Sequence, residues 1–162
     1  MLEVAWQEHD HDDCVATALA RAQRLCAGKG VRFTQQRRQV LELVWNSHRP
    51  IGAYAILELY RQLHGATAPV TIYRALDFLL AQGLIHRIAS HNAFVGCRHP
   101  GAPHAGSFLL CSDCGVAQEL HAETIDAAIA HDAREQGFCV QSQVVEVSGL
   151  CPRCQDGAGP GG

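Results

Sequence analysis

Two Cys-x-x-Cys pairs, Cys111-Ser-Asp-Cys114 and Cys151-Pro-Arg-Cys154, stand in the C-terminal third of the chain with 36 residues between them. Two residues between cysteines let both sulfurs face one metal about 2.3 Å away, and four thiolates from two such pairs close a tetrahedral shell around Zn²⁺. The segment between the pairs must therefore leave one point and return to it. A shell closed by four protein ligands leaves the metal no open position, so this cluster holds structure and does no chemistry. Any metal-dependent function has to lie in other residues.

At 162 residues the chain has room for one ordinary domain or two small ones, and a metal staple confined to one half favours two. Eight cysteines raise the question of disulfides. Met1 to Asp13, however, is acidic and polar where a secretory leader is basic, and no run of about 18 apolar residues is available to span a bilayer. A cytoplasmic protein with reduced thiols is expected, which assigns the paired cysteines to metal.

The net charge of −3 hides an asymmetry. From Cys14 to Ser90, ten Arg and Lys meet three acidic residues, a net +7; from His91 onward, three basic residues meet eight acidic ones, a net −5. A basic front half and an acidic, Cys/His-rich back half read as two modules with different partners. Six of the ten histidines fall between His86 and His131, in and beside the acidic module.

Periodicity places a first helix over Cys14 to Ala27, ended by Gly28 and Gly30, and Thr34 as the N-cap of a second over Gln35 to Trp45. Pro50 and Gly52 introduce a third, Ala53 to Leu63, and a turn at Gly65 to Pro69 leads to a fourth, Val70 to Gln82. Helix, short turn, helix is the pattern of a DNA reader whose second helix enters the major groove. Leu84 to Ile88 and Asn92 to Cys97 follow as a hairpin, the wing. Arg98 to Gly106, with Pro100, Gly101, Pro103 and Gly106, is a hinge. Beyond it, Ser107 to Leu110, Val116 to Leu120, Glu123 to Gln136 and Val140 to Ser148 read as β, β, α, β.

The expected fold is therefore α+β. An N-terminal winged helix-turn-helix domain (14–97) and a hinge (98–106) lead to a small C-terminal α/β dimerisation domain with a four-cysteine zinc site (107–154). Residues 1–13 are expected to be an acidic, flexible N-terminus and 155–162 a disordered tail.

With the four knuckle cysteines set aside, His86, Cys97, His104 and Glu119 offer N, S, N and O donors around the junction of the modules, a set that Zn²⁺ accepts. They are too far apart in sequence to bind before folding. Cys14, Cys26 and Cys139 need no special role, since a cysteine on a helix face behaves as a small hydrophobe.

Thr34-Gln-Gln-Arg37-Arg38, Pro50-Ile-Gly-Ala-Tyr54, Val70-Thr71-Ile-Tyr73-Arg74-Ala-Leu-Asp77-Phe-Leu and the double Cys-x-x-Cys together resemble the ferric uptake regulator family of dimeric winged-helix repressors. The likeness runs from about Ala20 to Cys154 and is strongest to the zinc-sensing members. It implies a zinc-responsive repressor that binds two Zn²⁺ per chain. The structural ion falls on Cys111, Cys114, Cys151 and Cys154, and the regulatory one on His86, Cys97, His104 and Glu119. The recognition helix opens at Tyr73 and Arg74, and the tyrosine of the third helix falls on Tyr54. Apart from the resemblance, Thr71 is expected as a DNA contact and Arg37 and Arg38 on phosphates. The implied partner is double-stranded DNA, a palindromic operator of zinc-uptake genes bound by a homodimer, with no membrane involved.

Iron-sensing members carry a His-His-x-His run before the first knuckle. This chain has Cys97-Arg-His-Pro-Gly-Ala-Pro-His104, and a thiolate in place of an imidazole shifts preference from Fe²⁺ toward Zn²⁺. His91, His99 and His121 lie close in sequence and are candidates for a third site or a ligand exchange.

Three other readings compete. One is another metal or redox sensor of the same family. A second is a zinc deaminase, because His121-Ala-Glu123 before Cys151-Pro-Arg-Cys154 mimics the His-x-Glu and Cys-x-x-Cys of that class; Leu150 stands where its signature has Pro, and Cys111 and Cys114 are left unexplained. The third is an interaction module that uses Tyr54, Leu57 and Tyr60 as protein-binding anchors.

Overall fold

Capping residues decide where the helices of this chain begin. In the computed structural model, which describes residues 5–8, 10–102 and 104–157, helix α1 (His11–Gly28) starts behind Asp10, whose carboxylate accepts from the backbone N–H of Asp12 and Asp13. Asp12 and Asp13 in the first turn suit the positive end of the helix dipole. The helix thus begins three residues earlier than expected, and part of the N-terminal segment meets the sheet. Ala5 is buried and its N–H donates to Gln118 Oε1. Residues 1–4 and 9 lie outside the described residues.

Helix α2 (Gln35–Trp45) has the expected bounds, with the Thr34 hydroxyl accepting from Arg37 N–H at 3.3 Å. Helices α3 (Ala53–His64) and α4 (Pro69–Ala81) follow, and α4 opens with proline at its first turn, where the missing N–H costs nothing. Leu41, Ile56, Ile72, Leu76 and Leu79 interlock as the fully buried centre of this four-helix unit. Strands β1 (Ile85–Ile88) and β2 (Ala93–Gly96) form an antiparallel wing that pairs His86 with Val95. Ile51, just ahead of α3, bridges to Phe94 and ties the wing back to the helices. The wing turns through Asn92 at φ 46°, a left-handed position asparagine tolerates, and its Oδ1 accepts from Arg87 at 2.7 Å.

A connection without helix or strand among its described residues leads to β3 (Gly106–Cys111), β4 (Ala117–Glu119), α5 (Glu123–Glu135), β5 (Val144–Gly149) and the short α6 (Pro152–Gln155). Pro103, within that connection, lies outside the described residues. The sheet order is β4-β3-β5, with β4 antiparallel and β5 parallel to β3, so α5 lies on the crossover. Ile88 and Val95 of the wing share a small second core with Phe108, Leu110 and Ala117 of the sheet. Gln155, the first residue of the expected tail, belongs to α6, with its Nε2 donating to Leu150 O at 2.7 Å. Residues 158–162, the rest of that tail, lie outside the described residues. No helix among the described residues is long and apolar enough to cross a membrane.

Candidate metal centre and nucleic-acid interface

Four side chains from four chain segments converge where the wing meets the sheet. His86 comes from β1, Cys97 directly follows β2, His104 lies in the connection, and Glu119 ends β4; their donor atoms all lie within 4.8 Å of one another. His104 Nε2 is the hub. It stands 3.2 Å from His86 Nε2, 2.7 Å from Glu119 Oε1 and 3.5 Å from Cys97 Sγ, and His86 Nε2 is 2.9 Å from Glu119 Oε1. Metal–nitrogen bonds of about 2.0–2.1 Å set tetrahedral edges of about 3.3 Å, so the spacing of these donors suits one small ion.

Backbone groups fix the orientation of two of these side chains. Ala102 O lies 2.7 Å from His104 Nδ1, a contact that aims Nε2 at the other three side chains. The N–H of Arg98 donates to Glu119 Oε2 at 2.9 Å, which leaves Oε1 facing the histidines. Burial opposes ionisation of Glu119, but the hydrogen bond and charge of His86, the Arg98 N–H and the charge of His104 outweigh it and hold the carboxyl down at about 2. Burial, reinforced by the Glu119 carboxylate and only partly offset by a backbone N–H, pushes the Cys97 thiol up to about 12. Without a metal, Cys97 therefore keeps its proton at neutral pH. Sequence reasoning grouped the four side chains and missed Arg98 and Ala102, because both act through backbone groups that residue type does not reveal.

The second cluster has the geometry of a closed shell. Cys111 ends β3, Cys114 follows in a tight turn completed by Gly115 at φ +75°, Cys151 is the N-cap of α6, and Cys154 lies within that helix. Their sulfurs lie within 4.8 Å of one another; Cys114 Sγ and Cys151 Sγ are 3.8 Å apart, the edge of a tetrahedron with bonds of about 2.3 Å. Against the opposing effect of burial, backbone N–H groups of Cys151, Cys114 and Asp113 with the Cys114 thiol draw Cys111 down to about 6. A thiolate is thus already favoured at one corner.

On the helical unit, Tyr54 on α3 is 73% exposed and Tyr73 on α4 is 53% exposed; Arg74 is exposed and Thr71 half-buried. Arg37 is otherwise occupied. Its guanidinium lies 3.6 Å from the Phe78 ring centroid and donates to Arg32 O, which packs α2 against α4 instead of presenting the charge outward. Arg38 is half-buried. Leu57 and Tyr60 are core residues, 5% and 7% exposed, so the protein-binding trio with Tyr54 does not exist as a surface. Glu58 and Arg61 form an ion pair within α3 at 3.4 Å.

The deaminase arrangement is likewise missing among the described residues. His121 and Glu123 pair with each other on the surface, while Cys151 and Cys154 group with the other knuckle. Of the remaining histidines, His99 and His121 have ring centroids 6.3 Å apart and His91 Nδ1 lies 2.9 Å from Ser90 Oγ. None of the three joins a group of three or more metal donors among the described residues.

A winged helix-turn-helix unit joined to a cysteine-stapled sheet through a four-ligand pocket defines a metal-responsive DNA-binding regulator. The sequence profile of the ferric uptake regulator family matches residues 28–148, and the chain belongs to that family. It is 39% identical over 137 residues to the zinc uptake regulation protein of Escherichia coli (strain K12), covering 84% of this chain and 80% of that protein. A solved zinc uptake regulator complexed with zinc and DNA superposes with a TM-score of 0.84 at 36% identity, over 89% of this chain and 97% of the other. The regulator XcZur is 40% identical in both of its solved states. Its holo form gives a TM-score of 0.81 over 86% of this chain and 98% of its own, and its apo form 0.53 over 88% and 99%. At equal identity, this chain therefore superposes more closely on the holo form of that regulator than on the apo form.

Proposed function

We propose that the protein is a zinc-responsive transcriptional repressor. As a cytoplasmic homodimer it binds a palindromic operator of zinc-uptake genes when zinc occupies the pocket of His86, Cys97, His104 and Glu119. The observation that carries this reading is the convergence of donors from wing, connection and sheet on one point, since a ligand held by both units couples their orientation. The donor set suits zinc, because the soft thiolate joined to two borderline imidazoles outweighs the one hard carboxylate and is matched less well by Fe²⁺ and Mn²⁺.

Bound there, zinc supplies a rigid junction with fixed angles, and the second ion per chain is the structural one at the four cysteines. The chain's own residues supply the rest. Arg98 holds Glu119, Ala102 holds His104, and the shared core of Ile88, Val95, Phe108, Leu110 and Ala117 gives the two units a preferred docking. Arg74 faces a guanine edge as a bidentate donor, Tyr73, Thr71 and Tyr54 meet phosphate or thymine methyl groups, and Arg38 positions the backbone. Arg37, next to them in sequence, contributes by bracing α2 on α4. No residue is assigned a catalytic role.

The test is Cys97→Ser. The variant is expected to remain dimeric with one zinc per chain, and to lose the zinc-dependent gain in operator affinity, of the order of 5–150-fold for a typical allosteric coupling. Zinc-dependent operator binding that persists in this variant, measured by fluorescence anisotropy across a zinc titration, would refute the assignment.

A further inference from the structure

A third group of metal donors lies apart from both sites. His11 and Cys14 stand at i and i+3 in the first turns of α1, so they project from one face of that helix. His48, in the connection between α2 and α3, meets them. The donor atoms of all three lie within 4.8 Å of one another, and the His11 and His48 rings are 4.8 Å apart between centroids at 77°. None of the three is a fully exposed side chain.

The framework around them is fixed. Asp10 caps α1 at the turn that carries His11 and Cys14. His48 O accepts from Ala117 N–H at 2.9 Å, which pins the loop to β4, and Trp45 packs against the His48 ring. Cys14 also lines a cleft of about 430 Å³ between α1 and the connection, bordered by Asp13, Arg21, Cys97 and Arg98, so an ion has an approach from solvent.

We propose that His11, Cys14 and His48 form a third metal site, selective for zinc-class divalent ions, with water as the fourth ligand. Two imidazoles and a thiolate are the donors such ions prefer, and the thiolate disfavours Mg²⁺ and Ca²⁺, which take oxygen. Binding is an exchange without redox change: the Cys14 thiol passes its proton to solvent and its sulfur bonds the metal. The site is weaker than the four-ligand pocket. It has one protein ligand fewer, and the Arg98 guanidinium lies 3.4 Å from His48 Nδ1, where its charge opposes a cation. It therefore fills at higher metal concentration. Filling it fastens the start of α1 to the loop that leads into α3. That loop also touches Arg98, the residue whose N–H holds Glu119.

The experiment uses cobalt on the full chain and does not depend on DNA binding, so it stands or falls separately from the repressor reading. The protein is purified with zinc in its four-cysteine site and carries Cys97→Ser, which removes the thiol of the interdomain pocket. Titration with Co²⁺ is expected to produce a thiolate-to-cobalt charge-transfer band. Adding Cys14→Ser is expected to abolish the band, and adding His48→Gln instead to weaken cobalt affinity by at least about tenfold, the lower end of what loss of even an outer contact costs a metal site. Unchanged helical circular dichroism verifies folding in both. Absence of the band in the Cys97→Ser protein, or a band that survives Cys14→Ser, overturns the proposal.

Discussion

Arg37 and Arg74 carry the same charge and do different work, and the difference lies in their neighbours. Arg37 is stacked on Phe78 and bonded to Arg32 O, whereas Arg74 stands exposed beside Tyr73 on α4. Arg74→Ala is accordingly expected to leave zinc content unchanged and to flatten discrimination at one operator position by about 1–3 kcal/mol, read from competition binding with single-base variants. Unaltered discrimination would remove Arg74 from the readout role. The same contrast marks where the sequence is legible. The Tyr73-Arg74 motif and the donors His86, Cys97, His104 and Glu119 are visible because residue type carries their chemistry. The stack on Phe78 is not, because Phe78 is 41 positions away from Arg37 and one aromatic ring looks like another. Cys14 is equally opaque: its neighbour His48 lies across the fold, and the turn that holds His11 reads as part of an acidic, unstructured lead.

Two elements can be tested as units, the wing and the strand that clamps it. The wing packs at Gly96, where a Cβ would overlap the buried Trp45 ring and force that side chain to shift. Gly96→Ala is expected to cost about 1–3 kcal/mol as an overpacking change, seen as a lowered Tm for the helical unit. The clamp is Glu146 on β5, whose carboxylate accepts from the N–H of Ala89 at 2.6 Å and of Ser90 at 3.2 Å in the wing turn. The Ser90 hydroxyl, these two N–H groups and the charge of His91 lower its carboxyl below the ordinary range despite some burial. Because the folded value lies below the unfolded one of about 4.3, the clamp contributes fully above that pH and fades as pH falls through the lower folded value. Amide protection factors at Ala89 and Ser90 are expected to fall below about pH 4. Glu146→Gln is expected to lower them at neutral pH. Protection that ignores both changes would mean that the clamp holds nothing. The ranges of α2 and α4 follow closely from local signals, Thr34 and Pro69, whereas the start of β5 falls four residues later than alternation from Val140 implies. Strand limits depend on which partner, here β3, is present to pair with, and that is not a local property.

At the scale of the whole molecule, the sheet leaves β5 at an edge with Val144 and Val147 exposed, and Phe138 and Leu150 exposed close by in sequence. An uncovered apolar edge of this kind invites pairing with a second copy. Val147→Asp is expected to yield monomers in sedimentation velocity and to weaken operator binding even with zinc present; a stable dimer in that variant would move the interface elsewhere. The basic helical unit and the acidic sheet unit, legible as a change of charge sign near residue 91, correspond to the two bodies that the pocket joins. The clasp of Cys111, Cys114, Cys151 and Cys154 has a further consequence in time. It closes a loop that contains β4, α5 and β5, so on the zinc reading a newly made chain needs an ion before that half can form. The number of competent molecules then keeps a record of how much metal was at hand when they were synthesised. Occupancy of the interdomain pocket reports the supply of the moment, so a starved cell that recovers would respond at first with few sensors and only later with a full complement.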